Sequence, residues 1–344
     1  MSSAVLVTGG AGFIGSHTSK LLARAGYCPV VYDNLVNGNR WAAKWGSFVE
    51  GDLADAALLR RTLREHSVRA VIHFAAFAYV GESMRNPGKY FANNVANTLT
   101  LLEAMWETGV KHIVFSSSCA TYGLPSRLPI AETDPQSPIN PYGETKLFAE
   151  KALRWYGEAH GFRWTALRYF NAAGADPEGE IGEHHDPETH LIPLVIHAAL
   201  GLRPRAEIFG ADYPTPDGTA LRDYIHVADL ADAHVKALEY LLAGGECLPF
   251  NLGNGSGHSV LDVIRAVEKA SGREIPLHIS PRREGDPPIL VADPSRAHRV
   301  LGWKPRFSGL PQIVETAWAW HTGPANPAAV PAPCLDLAHG ATVR

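Results

Sequence analysis

The chain has 344 residues, 46% hydrophobic and 19% charged, with a formal net charge of −4, so about two domains fit and neither nucleic acid nor an anionic membrane is an expected partner. Its four cysteines, Cys28, Cys119, Cys247 and Cys334, are scattered without paired spacing, which argues against a disulfide framework or a zinc site and for a reducing compartment; no metal is expected. No apolar run approaches the roughly 20 residues of a membrane-spanning helix, and the stretch after Met1 is too short for a signal peptide core, so a cytoplasmic location is expected.

Short apolar runs alternate with helical periodicity through the first half. Residues 4–7 read as a buried strand, 14–25 as a helix stopped at Gly26, 30–33 and 47–50 as strands, 58–65 as a helix and 70–74 as a strand. A long helix is expected over 87–108, ending at Gly109, then a strand over 112–116, a helix over 141–159 and a strand over 163–168. Such alternation predicts an α/β fold built on a doubly wound parallel sheet. After residue 171 the texture shifts to glycine-, proline- and histidine-rich loops, with helices over 191–200, 227–242, 260–270 and 312–320. The expected organisation is a Rossmann-type domain over 1–171, on which a segment around 220–245 also packs, a smaller α/β lobe over 172–320, and a mobile tail over 321–344.

Between the first strand and first helix lies Thr8-Gly-Gly-Ala-Gly-Phe-Ile-Gly15. Gly9 permits a tight turn, Gly12 lets a pyrophosphate approach the backbone, and Gly15 lets helix pack closely on sheet, with the helix amino terminus offering N–H groups to the phosphates. Asp33 ends the second strand, where a carboxylate binds both ribose hydroxyls and repels a 2′-phosphate; NAD is therefore predicted over NADP. Asp52, after the third strand, is placed to reach the adenine amino group, although a helix cap is an equally good reading of it.

Tyr142 and Lys146 stand four residues apart in Asn140-Pro-Tyr-Gly-Glu-Thr-Lys146, on one helix face. A phenol has an unperturbed pKa near 10, and a neighbouring cation favours its phenolate. The strand over 112–116 runs into Ser116-Ser117-Ser118; Ser118, without a visible His–Asp support, reads as a hydrogen-bonding group for a reacting oxygen and not as a nucleophile.

Taken together, these motifs resemble the extended short-chain dehydrogenase/reductases, and within them the nucleotide-sugar 4-epimerases. The resemblance runs from about residue 4 to 320 and includes His73-Phe-Ala, Val80-Gly-Glu-Ser, Asn93-Asn-Val, Leu167-Arg-Tyr-Phe-Asn171, Asp217-Gly-Thr, Arg222-Asp-Tyr-Ile-His226 and Pro281-Arg-Arg-Glu-Gly-Asp286. It implies interconversion of UDP-glucose and UDP-galactose through transient oxidation at sugar C4, rotation of a 4-keto sugar, and hydride return to its other face. Tyr142 would be the acid–base, Lys146 would bind the nicotinamide ribose and lower the phenol pKa, and Ser118 would hold the 4-oxygen. The cofactor contacts it implies also include Phe13, Ile14, Asn34, Leu53, Phe74, Ala75, Asn93 and Tyr169. Asn171, His190, Leu191, Arg222, Arg283 and Asp286 would join Ser118 and Tyr142 on the UDP-sugar, and a homodimer through the helices over 87–108 and 141–159 is implied, with Leu99, Leu102, Leu147 and Leu153 as outward apolar positions that also suit a core.

The chain departs from some relatives at Ala78, where a lysine reaches the NAD phosphates, and at Leu290, where a tyrosine gates the sugar pocket. A smaller gate suggests room for an N-acetyl group or a pentose, so epimerisation of UDP-N-acetylglucosamine or UDP-arabinose/xylose is the alternative. Cys119-Ala120 stands where a dehydratase would carry an acid–base pair. A non-catalytic NAD-binding regulator is the remote alternative, since fold alone does not decide function.

Overall fold

A computed structural model describes residues 3–283, 286–307 and 309–328, so the expected tail lies, from residue 329 on, outside the described residues. The chain begins β1 (Ala4–Thr8), α1 (Phe13–Arg24), β2 (Cys28–Asp33), β3 (Ser47–Glu50), α2 (Ala56–Glu65), β4 (Val68–His73). Two short helices, α3 (Val80–Arg85) and α4 (Pro87–Tyr90), pass through a π-helical turn (Phe91–Ala96) into α5 (Asn97–Thr108), β5 (His112–Ser118), α6 (Pro141–His160) and β6 (Arg163–Tyr169). The second half runs β7 (Asn171–Ala173), α7 (Leu191–Ala199), β8 (Ala206–Phe209), β9 (Leu221–Arg222), β10 (Tyr224–His226), α8 (Val227–Leu242) and β11 (Leu248–Leu252). It closes with β12 (His258–Ser259), α9 (Val260–Ser271), β13 (Leu277–Ser280), β14 (Ile289–Leu290), α10 (Ser295–Val300) and α11 (Leu310–Thr322).

Seven strands form one sheet in the order β11-β6-β5-β4-β1-β2-β3, and every neighbouring pair is parallel. The order reverses between β1 and β4, which opens a crevice at the carboxyl ends of the central strands. Both faces are covered, so the doubly wound α/β expectation is borne out. Alternate residues of β1 show why: Leu6 packs with Leu59, Leu102, Met105 and Leu153 on one face, while Val5 and Val7 pack with Leu22, Leu238 and Trp303 on the other. α8, from the second half, lies against α1 and this second face. A separate core joins α7, α9 and α11 through Val195, Ile196, Val263, Ile264, Ile313 and Val314.

Three expectations change. The single helix over 87–108 is interrupted by the π-turn, where the Asn94 side chain accepts from Phe77 N at 2.9 Å and donates to Phe77 O and Thr145 Oγ1 at 2.9 and 3.1 Å. Leu102, Leu147 and Leu153 are buried and Leu99 packs against the same core, so these positions face inward; Trp106, Phe148 and Trp155 are the exposed apolar side chains of α5 and α6. β11 is a strand that sequence periodicity does not announce. Pro249 interrupts its signal, and the fold tolerates that proline because β11 lies at the sheet edge.

Candidate functional site

The glycine turn leaves β1 at Thr8 and enters α1 at Phe13. Gly9 has φ +69°, and a Cβ there would meet Ala75 N at 2.6 Å, so the loop after β4 closes on the turn without space for a side chain. Gly12 caps α1 with no side-chain hydrogen bond, and the first turn carries no acidic residue. The helix N–H groups and their partial positive charge are therefore left to an outside anion. Asp33 is buried, with Oδ2 accepting from Ala11 N at 3.0 Å and Oδ1 from Leu35 N at 2.8 Å. Burial raises its pKa, and the two backbone donors pull the other way. Asn34 donates to Asp52 Oδ2 at 2.7 Å, so these two candidates form one edge of the crevice. Phe74 and Ala75 N–H groups both donate to Thr8 O, at 2.9 and 3.1 Å. Ile14 and Phe74 pack partly into one core and Leu53 is buried in the other. Phe13 is half-buried with its ring 5.3 Å from His17, and Asn93 donates to Asn94 Oδ1 at 2.9 Å.

These residues fit a dinucleotide, since an uncapped helix start, a turn stripped of side chains and a buried carboxylate at the end of the next strand are what pyrophosphate and ribose require.

At the carboxyl end of β5, α6 brings its amino-terminal turns alongside. Asn140 caps α6 by accepting from Gly143 N at 2.8 Å, with Pro141 in the first turn. That cap sets Tyr142 and Lys146 on the face toward β5, and both are buried. Lys146 Nζ donates to Ser116 O at 2.7 Å and lies 5.9 Å from the Tyr142 ring centroid. The Ser118 hydroxyl lies near enough to the Tyr142 phenol to favour its ionisation, and it accepts from Ala120 N at 3.1 Å. Ser116 Oγ is 2.5 Å from Tyr169 Oη. Burial drives the Tyr142 phenol well above its ordinary pKa, and Ser118 pulls it down. Burial also lowers Lys146 to about 7, against the raising field of Glu150. In the polypeptide alone the phenol is thus neutral at pH 7.

The second half contributes less uniformly. Asn171 N donates to Asp223 O at 3.0 Å, fixing β7 beside β9 and β10. Arg222 is ion-paired with Asp286, bringing two candidates together across 64 residues. Arg283 is exposed and stacks over Phe209 with its guanidinium 4.0 Å from the ring centre. Leu290 is in register with Arg222 and, with Cys119, packs against Tyr122, Ile130, Phe170 and Ala292. Leu191 packs on the α7–α9–α11 core, whereas the His190 ring is held by Glu188 and Glu183 at 2.8 and 3.0 Å. Ala78 is exposed.

Sequence reasoning missed the scaffold behind this set. Glu150, one turn beyond Lys146, accepts from Ser117 Oγ at 2.5 Å and from Arg168 at 2.6 and 2.9 Å, all buried. Arg168 reaches Tyr122 Oη at 2.9 Å, and that hydroxyl donates to Asn251 Oδ1 at 2.7 Å. His73 bridges Thr8 and Thr98 at 2.7 and 2.9 Å. The visible signal was Glu150 at i+4 from Lys146 on an otherwise inward face.

A dinucleotide turn at β1 and a buried Tyr–Lys pair beside the end of β5, on one parallel sheet, define the class of short-chain dehydrogenase/reductases. More particularly, a family model described as "NAD dependent epimerase/dehydratase family" matches residues 5–253, and the chain belongs to that family. It is 54% identical over 318 residues to a UDP-glucose 4-epimerase of Rhizobium meliloti (strain 1021), spanning 92% of this chain and 97% of that protein. The fold matches the crystal structure of UDP-glucose 4-epimerase from Brucella ovis in complex with NAD, with TM-score 0.90 and 55% identity over 92% of this chain and 98% of that one. It also matches UDP-glucose 4-epimerase from Bifidobacterium longum in complex with NAD+ and UDP, with TM-score 0.90 and 41% identity over 94% and 99% of the two chains.

Proposed function

We propose that this chain is an NAD-dependent isomerase that interconverts UDP-glucose and UDP-galactose at sugar C4, with Tyr142, Ser118 and Lys146 as its reacting set. The observation that carries the reading is the buried Tyr142 phenol beside Ser118 at the carboxyl end of β5, with Lys146 buried and clamped on Ser116 O behind it. Bound NAD would supply reversible hydride exchange with sugar C4, which epimerisation requires on both faces of the ring. Gly9, Gly12 and Gly15 with the α1 amino terminus would hold its pyrophosphate, and Asp33 its adenine ribose. The remaining cofactor contacts run along the crevice from Phe13 and Ile14 through Asn34, Asp52, Leu53, Phe74, Ala75 and Asn93 to Tyr169.

Tyr142 takes and returns the proton of the sugar 4-hydroxyl. Because burial keeps the phenol protonated in the polypeptide alone, that role needs positive charge gathered close to it, from Lys146 and from the bound cofactor. Ser118 holds the 4-oxygen. Asn171, Leu191, Arg222, Arg283 and Asp286 hold the UDP portion, the pyrophosphate competing with Asp286 for the Arg222 guanidinium. Leu290 and Cys119 give the sugar an apolar wall with no fixed polar anchor, suited to a ring that must turn over. The named relatives do not favour the N-acetyl or pentose alternatives.

Exposed Phe148 and Trp155, seven residues apart on one face of α6, support a homodimer, and the scattered cysteines support a cytoplasmic site of action. Among the described residues no helix is long and apolar enough to cross a membrane. The test is to incubate purified protein with UDP-galactose and no added reductant. UDP-glucose should accumulate to equilibrium, and absence of conversion by NAD-loaded protein overturns the reading.

A further inference from the structure

The loop entering α7 gathers Glu183, His185, Glu188 and His190, one ligating atom from each lying within 4.8 Å of all the others. His190 Nδ1 is 2.8 Å from Glu188 and 3.0 Å from Glu183; His185 Nδ1 is 3.5 Å from Glu188 and 3.4 Å from Glu183. Both imidazoles thus turn the same nitrogen toward the same two carboxylates. In a tetrahedral site with metal–ligand distances of about 2.0–2.2 Å, neighbouring donors stand about 3.3–3.6 Å apart, close to this spacing. Both carboxylates are buried, Glu183 at 5% and Glu188 at 7% side-chain exposure. His185 Nδ1 is buried and finds no hydrogen-bond partner among the described residues. Glu188 is itself oriented by Thr189 N and His190 N, which donate to it at 2.7 and 2.8 Å.

Two buried carboxylates side by side need a positive charge between them. A second carboxylate group, Asp176, Glu178 and Glu180, shows the contrast: the chain supplies its own cation there, with Lys20 Nζ at 2.7, 3.0 and 2.5 Å. At the histidine group the described residues supply only imidazoles. A cavity lined by His184, His185, Glu188, His197 and His321 borders the group and offers an entry path.

We propose that Glu183, His185, Glu188 and His190 form a structural binding site for a divalent first-row transition metal of the zinc type. Two imidazoles and two carboxylates make a nitrogen–oxygen donor set, which disfavours Cu(I) and suits zinc better than the all-oxygen-seeking calcium and magnesium. The metal fastens the 183–190 loop ahead of α7, and the Glu183 carbonyl, accepting from Trp320 Nε1 at 2.9 Å, ties that loop to α11. His190 thereby serves the metal instead of the sugar nucleotide. The site stands whether or not the epimerase reading does.

The untagged protein, stripped with chelator and dialysed, is titrated with ZnCl2 by calorimetry, with bound zinc counted by elemental analysis. One equivalent should bind, and the melting temperature should rise by several degrees. Glu188→Gln should weaken this binding roughly 100-fold while leaving far-UV circular dichroism and NAD content unchanged. CoCl2 on the wild type gives a reading that needs no variant, since a tetrahedral site produces intense visible d–d absorption. Equal zinc binding by wild type and Glu188→Gln, no stoichiometric binding, or a cobalt spectrum matching the aqueous ion each overturns the proposal.

Discussion

Tyr142 illustrates how far a single residue's role depends on what surrounds it. Spacing places Lys146 on its face of α6, but burial, not that lysine, dominates the phenol's protonation and raises its pKa. A phenol buried this deeply is a proton donor until positive charge arrives. Tyr142→Phe should therefore lower UDP-galactose turnover by about 1,000-fold, within the range of lost general acid–base catalysis, while NAD content measured on the denatured supernatant stays unchanged. Asp33 answers a different question, because its two oxygens already hold the backbone at Ala11 and Leu35. Asp33→Asn keeps the size and removes the charge. NAD should bind about 10- to 100-fold more weakly in a calorimetric titration, the cost of one or two charged hydrogen bonds.

Among the elements, α6 carries the most information. Its cap, its Pro141 and its stop at Gly161 are all local and all readable in the sequence. What it does for the fold depends on Glu150, which binds Arg168 of β6 and Ser117 of β5 in a dry interior. Glu150→Ala leaves the Arg168 guanidinium buried without its partner and should cost about 3–5 kcal/mol in urea unfolding. Pairing it with Arg168→Leu should recover much of that loss, since the uncompensated charge is then gone. The π-turn shows the same division. Helix periodicity runs straight through residues 91–96, and only the fold reveals Asn94 spanning the loop after β4 and Thr145 of α6.

At the scale of the molecule, five histidines among the described residues, His17, His73, His226, His234 and His321, are buried, and burial lowers them to about 4, 3, 3, 4 and 4 respectively. Unfolded histidine takes up a proton below about 6.5. Between that pH and 4 the unfolded chain holds more protons than the folded one, so stability falls as pH is lowered through this window. Asp33, Asp223, Asp229 and Asp232, which burial raises (Asp223 to about 6), work the other way, as do His185 and His190 beside Glu183 and Glu188, but the carboxyls take up protons mostly below this window and the two raised imidazoles do not offset five lowered ones. The melting temperature should drop by roughly 10 °C or more between pH 7 and pH 5. A flat profile over that range would show that these rings are hydrated and titrate normally.

The sequence by itself determined the strand–glycine turn–helix opening, Asp33 at the end of β2, the one-turn spacing of Tyr142 and Lys146, and the parallel α/β class. Each rests on sterics or periodicity within a few residues, so neighbouring letters carry it. Only the tertiary structure decided that Ser118 meets Tyr142, that Lys146 is clamped on Ser116 O, that Arg222 pairs with Asp286, and that Leu102, Leu147 and Leu153 face the core. It also gathered Glu183, His185, Glu188 and His190 within 4.8 Å of one another, a grouping that the scattered cysteines, on which the no-metal expectation rested, do not report. These depend on sheet register and on which faces lose water when the layers close. Burial then sets the protonation of the phenol, the lysine and the histidines, and no local pattern in the chain encodes that depth.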